Sequence, residues 1–124
     1  MLSNYYKIEF FFGTGLTQDR QPIDKEIVGR SLQIIKATVN NLFGGCTLIE
    51  AVGSWTDPND GYIYKEPSRL LFTVVKIPVT EVPNLIDLEK QYYGEIQEIT
   101  ELIRTTLDQK SVLVTTSIVR GNFS

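Results

Sequence analysis

The chain opens with alternating side chains that predict a β-strand from Tyr5 to Phe12. One face of this strand would carry only large apolar side chains, those of Tyr6, Ile8, Phe10 and Phe12. The other face mixes charged and aromatic side chains: Tyr5, Lys7, Glu9 and Phe11. A period of two with one uniformly apolar face is typical of a sheet that is covered on one side. Gly13-Thr14-Gly15 ends the strand and is interpreted as a turn.

Two later segments have apolar residues at helical spacing. The first follows Asp24, and its apolar or small residues recur at three- and four-residue steps: Ile27, Val28, Ser31, Ile34, Ile35, Thr38, Val39 and Leu42. This pattern predicts an amphipathic helix of about 18 residues that Gly44-Gly45 terminate. The second starts near Asn84, with a predicted buried stripe of Leu85, Leu88, Tyr92, Ile96, Ile99, Ile103 and Thr106. Gly94 lies inside this helix and is expected to bend or split it.

Between the helices the pattern predicts a long hairpin. Its first strand runs from Thr47 to Trp55, and Asp57-Pro58-Asn59-Asp60-Gly61 supplies the turn. The returning strand, Tyr62 to Ile77, contains Pro67, which cannot donate a ladder hydrogen bond. We therefore expect Pro67 to divide it into a protruding arm, Tyr62 to Lys65, and a core segment, Arg69 to Lys76.

The last strand is predicted from Ser111 to Val119, which completes the order β-α-β-β-α-β. Two right-handed β-α-β units that share a central hairpin define a ferredoxin-like α+β fold. We expect an antiparallel sheet of order 4-1-3-2 with two helices on one face. The sequence shows no internal repeat and no linker, so residues 1–124 are interpreted as a single domain.

The uncovered face of such a sheet would be partly apolar. It would carry Tyr5, Lys7, Glu9 and Phe11 from the first strand and Leu113, Thr115, Ser117 and Val119 from the last. Apolar patches of this kind are usually covered by another chain. We therefore expect a homo-oligomer formed through the open sheet face.

Composition narrows the function classes. The hydrophobic fraction is 42% and the charged fraction 22%, which argues against disorder and coiled coil. The net charge is −3 and the 12 Lys and Arg residues are scattered, so no nucleic-acid partner is expected. The apolar runs are too short for a membrane helix. Met1-Leu2-Ser3-Asn4 runs straight into the first strand, which predicts no signal peptide and a cytoplasmic location.

The chain contains no histidine. This removes the commonest general base and excludes hydrolases of the usual triad type and zinc sites built on Cys and His. The single cysteine, Cys46, is interpreted as a small buried hydrophobic residue rather than a reactive thiol. No catalytic residue, metal or cofactor is predicted.

The stretch from 53 to 69 concentrates the residues best suited to binding. The candidates for a ligand- or partner-binding site are Trp55, Tyr62, Tyr64, Glu66 and Arg69, because aromatic and Arg side chains supply contact area at low entropic cost. The alternative is that Trp55 caps the core and the tyrosines decorate a hairpin edge. Glu66 and Arg69 are expected to form an ion pair across Pro67. Asp57 and Asp60 are interpreted as turn formers rather than cation ligands.

Short motifs spread over most of the chain resemble a bacterial family of small ferredoxin-like domains of unknown function. They are Phe12-Gly13, Gly45-x-Thr47-Leu48, Gly53-Ser54-Trp55, Gly61-x-Ile63, Glu66-x-Ser68 and Gln109-x-Ser111-Val112. Members of that family often begin with an export or lipoprotein signal, and the resemblance implies no established activity.

A weaker resemblance is to the PII-like signalling proteins. It is carried by Gly45-x-Thr47-Leu48-Ile49-Glu50 followed by the hairpin. The resemblance implies a trimer and nucleotide binding near the loop between the second and third strands. The basic residues that this chain offers for that purpose are Lys65, Arg69 and Arg120.

Two classes of function remain open. The first is a non-catalytic interaction or ligand-sensing module that oligomerises through its sheet and uses the 53–69 hairpin to contact a small molecule or a protein. The second is a small enzyme of the dimeric α+β barrel type, with Glu66, Arg69, Tyr62 and Tyr64 as its candidate residues; a PII-like nucleotide-binding regulator is a further alternative. A pocket with converging polar groups favours a small-molecule site, whereas a flat aromatic surface favours a protein partner.

Overall fold

The computed structural model describes residues 2–123 and has an α+β fold with one four-stranded antiparallel sheet and three helices. In chain order the elements are β1 (Ser3–Gly13), α1 (Lys25–Phe43), β2 (Thr47–Thr56), β3 (Ile63–Lys76), α2 (Leu85–Gln91), α3 (Tyr93–Thr106) and β4 (Leu113–Gly121). The strands and helices therefore occur in the predicted order, except that the second helical segment forms two helices.

The strand order is β2-β3-β1-β4, which read from the β4 edge is 4-1-3-2. β1 is central and pairs antiparallel with β3 on one side and with β4 on the other. Phe10 lies opposite Leu71 and Val114, while Phe11 lies opposite Leu70 and Leu113. Since residues in register share a face, the sheet has one face built around Phe10 and another built around Phe11.

The core lies between the Phe10 face and the helices. The β1 side chains on this face, Tyr6, Ile8, Phe10 and Phe12, are at most 4% exposed. They share one hydrophobic cluster with residues of the two long helices: Ile35, Val39, Ile96, Ile99 and Ile103. The opposite face, which we call the open face, retains exposed apolar groups such as Phe11 and Leu113. The alternation that predicted β1 therefore reflects a sheet covered on one side.

Helix α1 begins and ends where its flanking residues predict. The Asp24 side chain accepts a hydrogen bond from the Glu26 backbone N–H, which satisfies one of the free donors of the first turn. Gly44 follows the last turn in the left-handed conformation, with φ 90°, and its N–H bonds to the Asn40 carbonyl.

The second helical segment is split into two helices, which was one of the two outcomes expected near Gly94, so the layer contains three helices where two were expected. The break falls at Tyr92, two residues before Gly94, where φ is −101° and ψ is 10°. The Tyr92 ring stacks on Tyr6 at a centroid distance of 5.5 Å and also contacts Phe43. We attribute the interruption to this packing, because the helix backbone turns where the ring enters the core.

Pro67 does not interrupt β3, contrary to the expectation of a separate arm and core segment. The Pro67 carbonyl accepts the Thr14 backbone N–H at 2.8 Å and the Thr14 hydroxyl at 3.2 Å. In an antiparallel strand the nitrogen and the carbonyl of one residue point to the same side. The nitrogen of Pro67 therefore points away from Val52, its partner on β2, and the β2–β3 ladder loses no hydrogen bond.

Among residues 2–123, no helix is both long enough and apolar enough to cross a membrane.

Candidate functional site

A cleft of about 670 Å³ lies where β1 ends and β4 begins. Its walls come from the open face of the sheet, from residues 16–18 and from residues 109–111. The apolar part of the wall includes Phe11, Leu16, Trp55 and Leu113, and the polar part includes Gln18, Glu66, Ser68 and Lys110. The cleft is thus largely apolar, with a few polar groups that converge on it, as small-molecule sites usually are.

Glu66 enters the cleft because glycines surround it. It pairs with Gly53 across the β2–β3 ladder, and a Cβ built on Gly13 would lie 2.5 Å from its Oε1. The Leu16 backbone N–H donates to Oε2 at 3.0 Å. In the described part of the chain this is the hydrogen bond that the Glu66 carboxylate receives, and it leaves Oε1 without a hydrogen-bond donor. Gly13-x-Gly15, interpreted from the sequence as a turn, is also the sequence signal for this site, because glycine within or beside a strand marks the close approach of another group.

Trp55 forms the aromatic wall of the cleft. It pairs with Tyr64 across the hairpin, and the two rings stack at 4.7 Å with an interplanar angle of 20°. Tyr62 packs on the outer side of Tyr64 at 4.6 Å. Trp55 is 40% exposed, so a large part of the indole remains free for contact with a ligand.

Arg20 ties the loop after β1 to the hairpin, although no local sequence pattern distinguishes it from its polar neighbours. Its guanidinium forms an ion pair with Asp57, which is only 2% exposed, and donates to the Tyr64 hydroxyl at 2.8 Å. The same guanidinium lies 4.8 Å from the centre of the Tyr64 ring and 5.9 Å from that of Trp55. Asp57 is therefore both a turn former and the buried ion-pair partner of Arg20.

The same loop is anchored on its other side to the turn before β4. Gln18 donates through its amide to Asp108 Oδ1 at 2.6 Å and through its backbone N–H to the Asp108 carbonyl at 2.8 Å. The Gln109 side chain donates to the Leu16 carbonyl at 2.8 Å. These contacts hold residues 16–18 against the mouth of the cleft.

Arg69 does not pair with Glu66, which corrects the expected ion pair across Pro67. Its guanidinium lies 3.4 Å from Glu50 Oε1 and 3.4 Å from the Thr14 hydroxyl. Residues 66 and 69 are an odd number of positions apart on one strand, so their side chains leave opposite faces of the sheet. Arg69 contributes to the cleft lining, but its charge is directed to Glu50.

The five candidate residues thus fall into two groups. Trp55, Glu66 and Arg69 line the cleft, whereas Tyr62 and Tyr64 lie beyond it, toward the hairpin turn. In that turn, Asp57 accepts the Asn59 N–H and Asp60 accepts the Tyr62 N–H, as expected of turn formers.

Cys46 lies outside the cleft. It is partly buried against the core, and this burial raises the pKa of its thiol, although Lys36 lowers that pKa in part. The thiol is therefore protonated near neutral pH, as expected of a small packing residue.

A second depression of about 650 Å³ lies between α1 and α3 and is lined by Ala37, Thr38, Asn41, Leu42, Glu98, Glu101, Leu102 and Thr105. It is a shallow, open groove between two helices with no aromatic wall. Of the five residues that the sequence indicated for binding, three line the cleft and two lie beyond it, and none lines this groove.

Comparison with protein-family models finds no match, and comparison with curated proteins finds none either. Solved structures do share the fold. A phage SAM lyase in complex with S-methyl-5'-thioadenosine aligns with a TM-score of 0.60 at 13% identity over 96% of this chain and 90% of the lyase. A phage SAM lyase in the apo state aligns with a TM-score of 0.58 at 14% identity, over 96% and 91%.

A further similar structure is a Bacillus cereus protein related to NIF3, with a TM-score of 0.53 at 6% identity. The alignment covers 96% of this chain but only 26% of that protein. At such identities the likeness establishes a shared fold and leaves function to be argued from the site.

Proposed function

We propose that this protein is a ligand-binding module whose cleft takes a small, flat molecule that donates hydrogen bonds to Glu66. The observation that carries the proposal is that the Glu66 carboxylate and the Trp55 indole line the same cleft of about 670 Å³, together with Gly13 and Gly53. Trp55 supplies a face for stacking, and Glu66 Oε1 supplies an acceptor that its Leu16 hydrogen bond does not use.

The shape of the site favours a small molecule over a flat protein contact. Volumes of ligand sites range from about 300 to 1,000 Å³, and this cleft lies within that range. Residues 16–18 close one side of the cleft, so its apolar lining is concave rather than protruding. Tyr62 and Tyr64 lie on the hairpin beyond the cleft, and the exposed Tyr62 ring is left free to contact a second molecule.

S-Methyl-5'-thioadenosine is the first probe to test. A phage SAM lyase of similar fold has been solved with this molecule, and its adenine ring is flat and carries an amino group. Isothermal titration of the protein with this nucleoside should show saturable binding. Replacing Trp55 with Ala or Glu66 with Gln should weaken that binding about tenfold, which corresponds to roughly 1.4 kcal/mol.

A matched control is Glu101→Gln, which neutralises an exposed carboxylate on α3 far from the cleft. It should bind the nucleoside as the unmodified protein does. ATP serves as the second probe, since the PII-like resemblance implies nucleotide binding. If no adenine compound bound, or if the Trp55 and Glu66 variants bound unchanged, the proposed site would be wrong.

An enzyme is a second candidate, and the free oxygen of Glu66 favours it. A carboxylate with one unused oxygen in a partly closed cleft can accept a proton from a bound substrate. Incubation with S-adenosylmethionine, followed by chromatography for S-methyl-5'-thioadenosine, tests this candidate directly. Product that forms with the unmodified protein and not with Glu66→Gln would support it.

We further propose that the working unit is a homo-oligomer joined through the open face. Phe11, Ile49 and Leu113 on this face are 37%, 44% and 61% exposed, and Phe11 and Leu113 also line the cleft. Light scattering should give a mass above one chain, and Leu113→Glu should lower it because a buried unpaired charge opposes association. The element order and strand order also support assignment to the ferredoxin-like folds.

A further inference from the structure

Arg20 occupies a backbone conformation that arginine rarely adopts. Its φ is 62°, in the left-handed region that favours glycine. Its N–H closes a tight turn on the Thr17 carbonyl at 2.9 Å. Such a conformation persists only where surrounding contacts hold it. The hydrogen bonds between Thr17 and Gln21 supply some of these contacts, and the Arg20 side chain supplies the others.

Those contacts all lead to the hairpin that carries Trp55. The Arg20 guanidinium pairs with the buried Asp57 carboxylate and bonds to the Tyr64 hydroxyl at 2.8 Å. The Tyr64 ring in turn stacks on Trp55 at 4.7 Å. A continuous series of contacts therefore joins the loop after β1 to the aromatic wall of the cleft.

We propose that Arg20 is a positioning residue that sets the Trp55 indole as the wall of the cleft by tying the loop after β1 to the hairpin. This inference rests on the proposed function, because it specifies how the same cleft is kept in its binding shape. Arg20 itself does not line the cleft, so the role assigned to it is exerted through Tyr64 and Trp55.

The other contacts of the loop cannot replace Arg20. Gln18 bonds to Asp108, and Leu16 accepts from Gln109, so both attach the loop to the turn before β4. Glu66 accepts from Leu16 at the base of the cleft rather than near the hairpin turn. In the described part of the chain, the ion pair of the loop with the hairpin is that of Arg20 with Asp57.

The chain offers a direct optical test, since Trp55 is its only tryptophan. Acrylamide quenching of Trp55 fluorescence, measured without ligand, reports how accessible the indole is. The variants are Arg20→Ala, Arg20→Lys and Tyr64→Phe. The control is Arg104→Ala, because the Arg104 side chain is 44% exposed against 43% for Arg20 and also pairs with a carboxylate.

Arg20→Ala should raise the quenching constant about twofold and weaken binding of S-methyl-5'-thioadenosine about tenfold, while Arg104→Ala should change neither. Arg20→Lys should recover part of both effects, because lysine keeps the charge for Asp57 but lacks the planar fork. Tyr64→Phe keeps the stacked ring and should give a smaller increase in quenching than Arg20→Ala.

Unchanged quenching in a folded Arg20→Ala would overturn the positioning role. If Arg20→Ala fails to fold, Arg20→Lys and Tyr64→Phe decide, and unchanged quenching in both would overturn it equally. If the unmodified protein does not bind the nucleoside, the proposed function is wrong, and the quenching series still decides whether Arg20 orders Trp55. Quenching that rises in Arg20→Ala with unchanged nucleoside affinity would show that the cleft does not depend on this contact, which would also overturn the proposal.

Discussion

Gly13→Ala should disturb the candidate site through one specific contact. The three atoms nearest to an added Cβ all belong to the Glu66 carboxyl group, at 2.5, 2.6 and 2.7 Å. Ordinary contacts of a Cβ begin near 3.4 Å, so the carboxylate must move by roughly 1 Å. Gly13 does not need a positive φ, so the backbone accepts alanine and the side-chain clash dominates.

Displacement of the carboxylate should break its hydrogen bond with the Leu16 N–H. A hydrogen bond to a charged group contributes about 1.5–3 kcal/mol, and the partial exposure of Glu66 lowers this to about 1 kcal/mol. With a denaturation slope near 2 kcal/mol per M, the urea midpoint should fall by about 0.5 M. Far-UV circular dichroism measures this without relying on Trp55, and binding of S-methyl-5'-thioadenosine should weaken in parallel.

A double-mutant cycle with Glu66→Ala separates this mechanism from a general loss of stability. Once Glu66 ends at its Cβ, the clash is gone, and Gly13→Ala should cost close to nothing. Gly15→Ala is the informative contrast, because its Cβ would lie 2.6 Å from the Pro67 ring and should remain costly in either background. An equal cost of Gly13→Ala with and without Glu66 would refute the reasoning.

Further predictions concern Tyr6, the stability at alkaline pH, the reactivity of Cys46 and two glycines of helix α1 and its C-terminus. Tyr6→Phe should raise the free energy of unfolding by up to about 1 kcal/mol, because the Tyr6 hydroxyl is buried without a hydrogen-bond partner among the described residues. Burial raises the pKa of Tyr6 and of Tyr92 in the folded protein. As the pH rises above about 10, these tyrosines therefore ionise more readily in the unfolded chain, and the free energy of unfolding should fall. The fall should be less steep in the Tyr6→Phe variant, which lacks one of the two groups. Since burial raises the pKa of Cys46 and packing limits access to its thiol, its alkylation by iodoacetamide at pH 8 should be slower than that of free cysteine. Gly44→Ala should lower the free energy of unfolding by about 1 kcal/mol, because φ is 90° at this position. Gly29 lies inside α1 with open space around it, so Gly29→Ala should raise the free energy of unfolding by about 0.5–1 kcal/mol. Thermal or urea unfolding measures both changes.

The tyrosine and cysteine predictions each have an outcome that would contradict them. If the Tyr6→Phe variant were less stable than the parent, the Tyr6 hydroxyl would have to form a hydrogen bond in the folded protein. Thr116 is the most direct candidate, because it lowers the pKa of Tyr6. The Thr116 hydroxyl, however, already donates its hydrogen to Glu89. Alkaline stability that does not differ between the Phe variant and the parent would contradict the tyrosine account. Rapid alkylation of Cys46 would show that its thiol is more accessible than its packing indicates.

The elements that sequence alone predicted are those with a local physical signal. β1 has one uniformly apolar face, and α1 is bounded by Asp24 and Gly44, so neighbouring residues decide both. The predicted helix face was too wide, since Ile27 and Ile34 remain 43% and 51% exposed. Only a narrow stripe of α1 meets the sheet, and the width of that contact depends on tertiary packing that periodicity does not encode.

The candidate site was only partly predictable, because its contacts join distant segments. Trp55 and Glu66 were identified from aromatic and charged residues concentrated in one stretch. Arg20 stands in a polar loop 37 positions before Asp57, and nothing local indicates that the two meet. The expected Glu66–Arg69 pair failed for a reason the sequence did contain, since an odd spacing along one strand sends two side chains to opposite faces.

The position of the cleft follows from the unequal lengths of the strands. β3 pairs with β1 only from Ser68 onward. Its N-terminal part, residues 63–67, lies beyond the end of β1 and pairs with β2 alone. A two-stranded ribbon is only marginally stable by itself, so this extension needs support from outside the ladder. The loop after β1 supplies it through Arg20, and the space between the end of β1 and the ribbon is the cleft. A ligand in that space would contact both the four-stranded sheet and the ribbon. Ligand binding should therefore stabilise the ordered ribbon, and mutations that disorder the ribbon should weaken ligand binding.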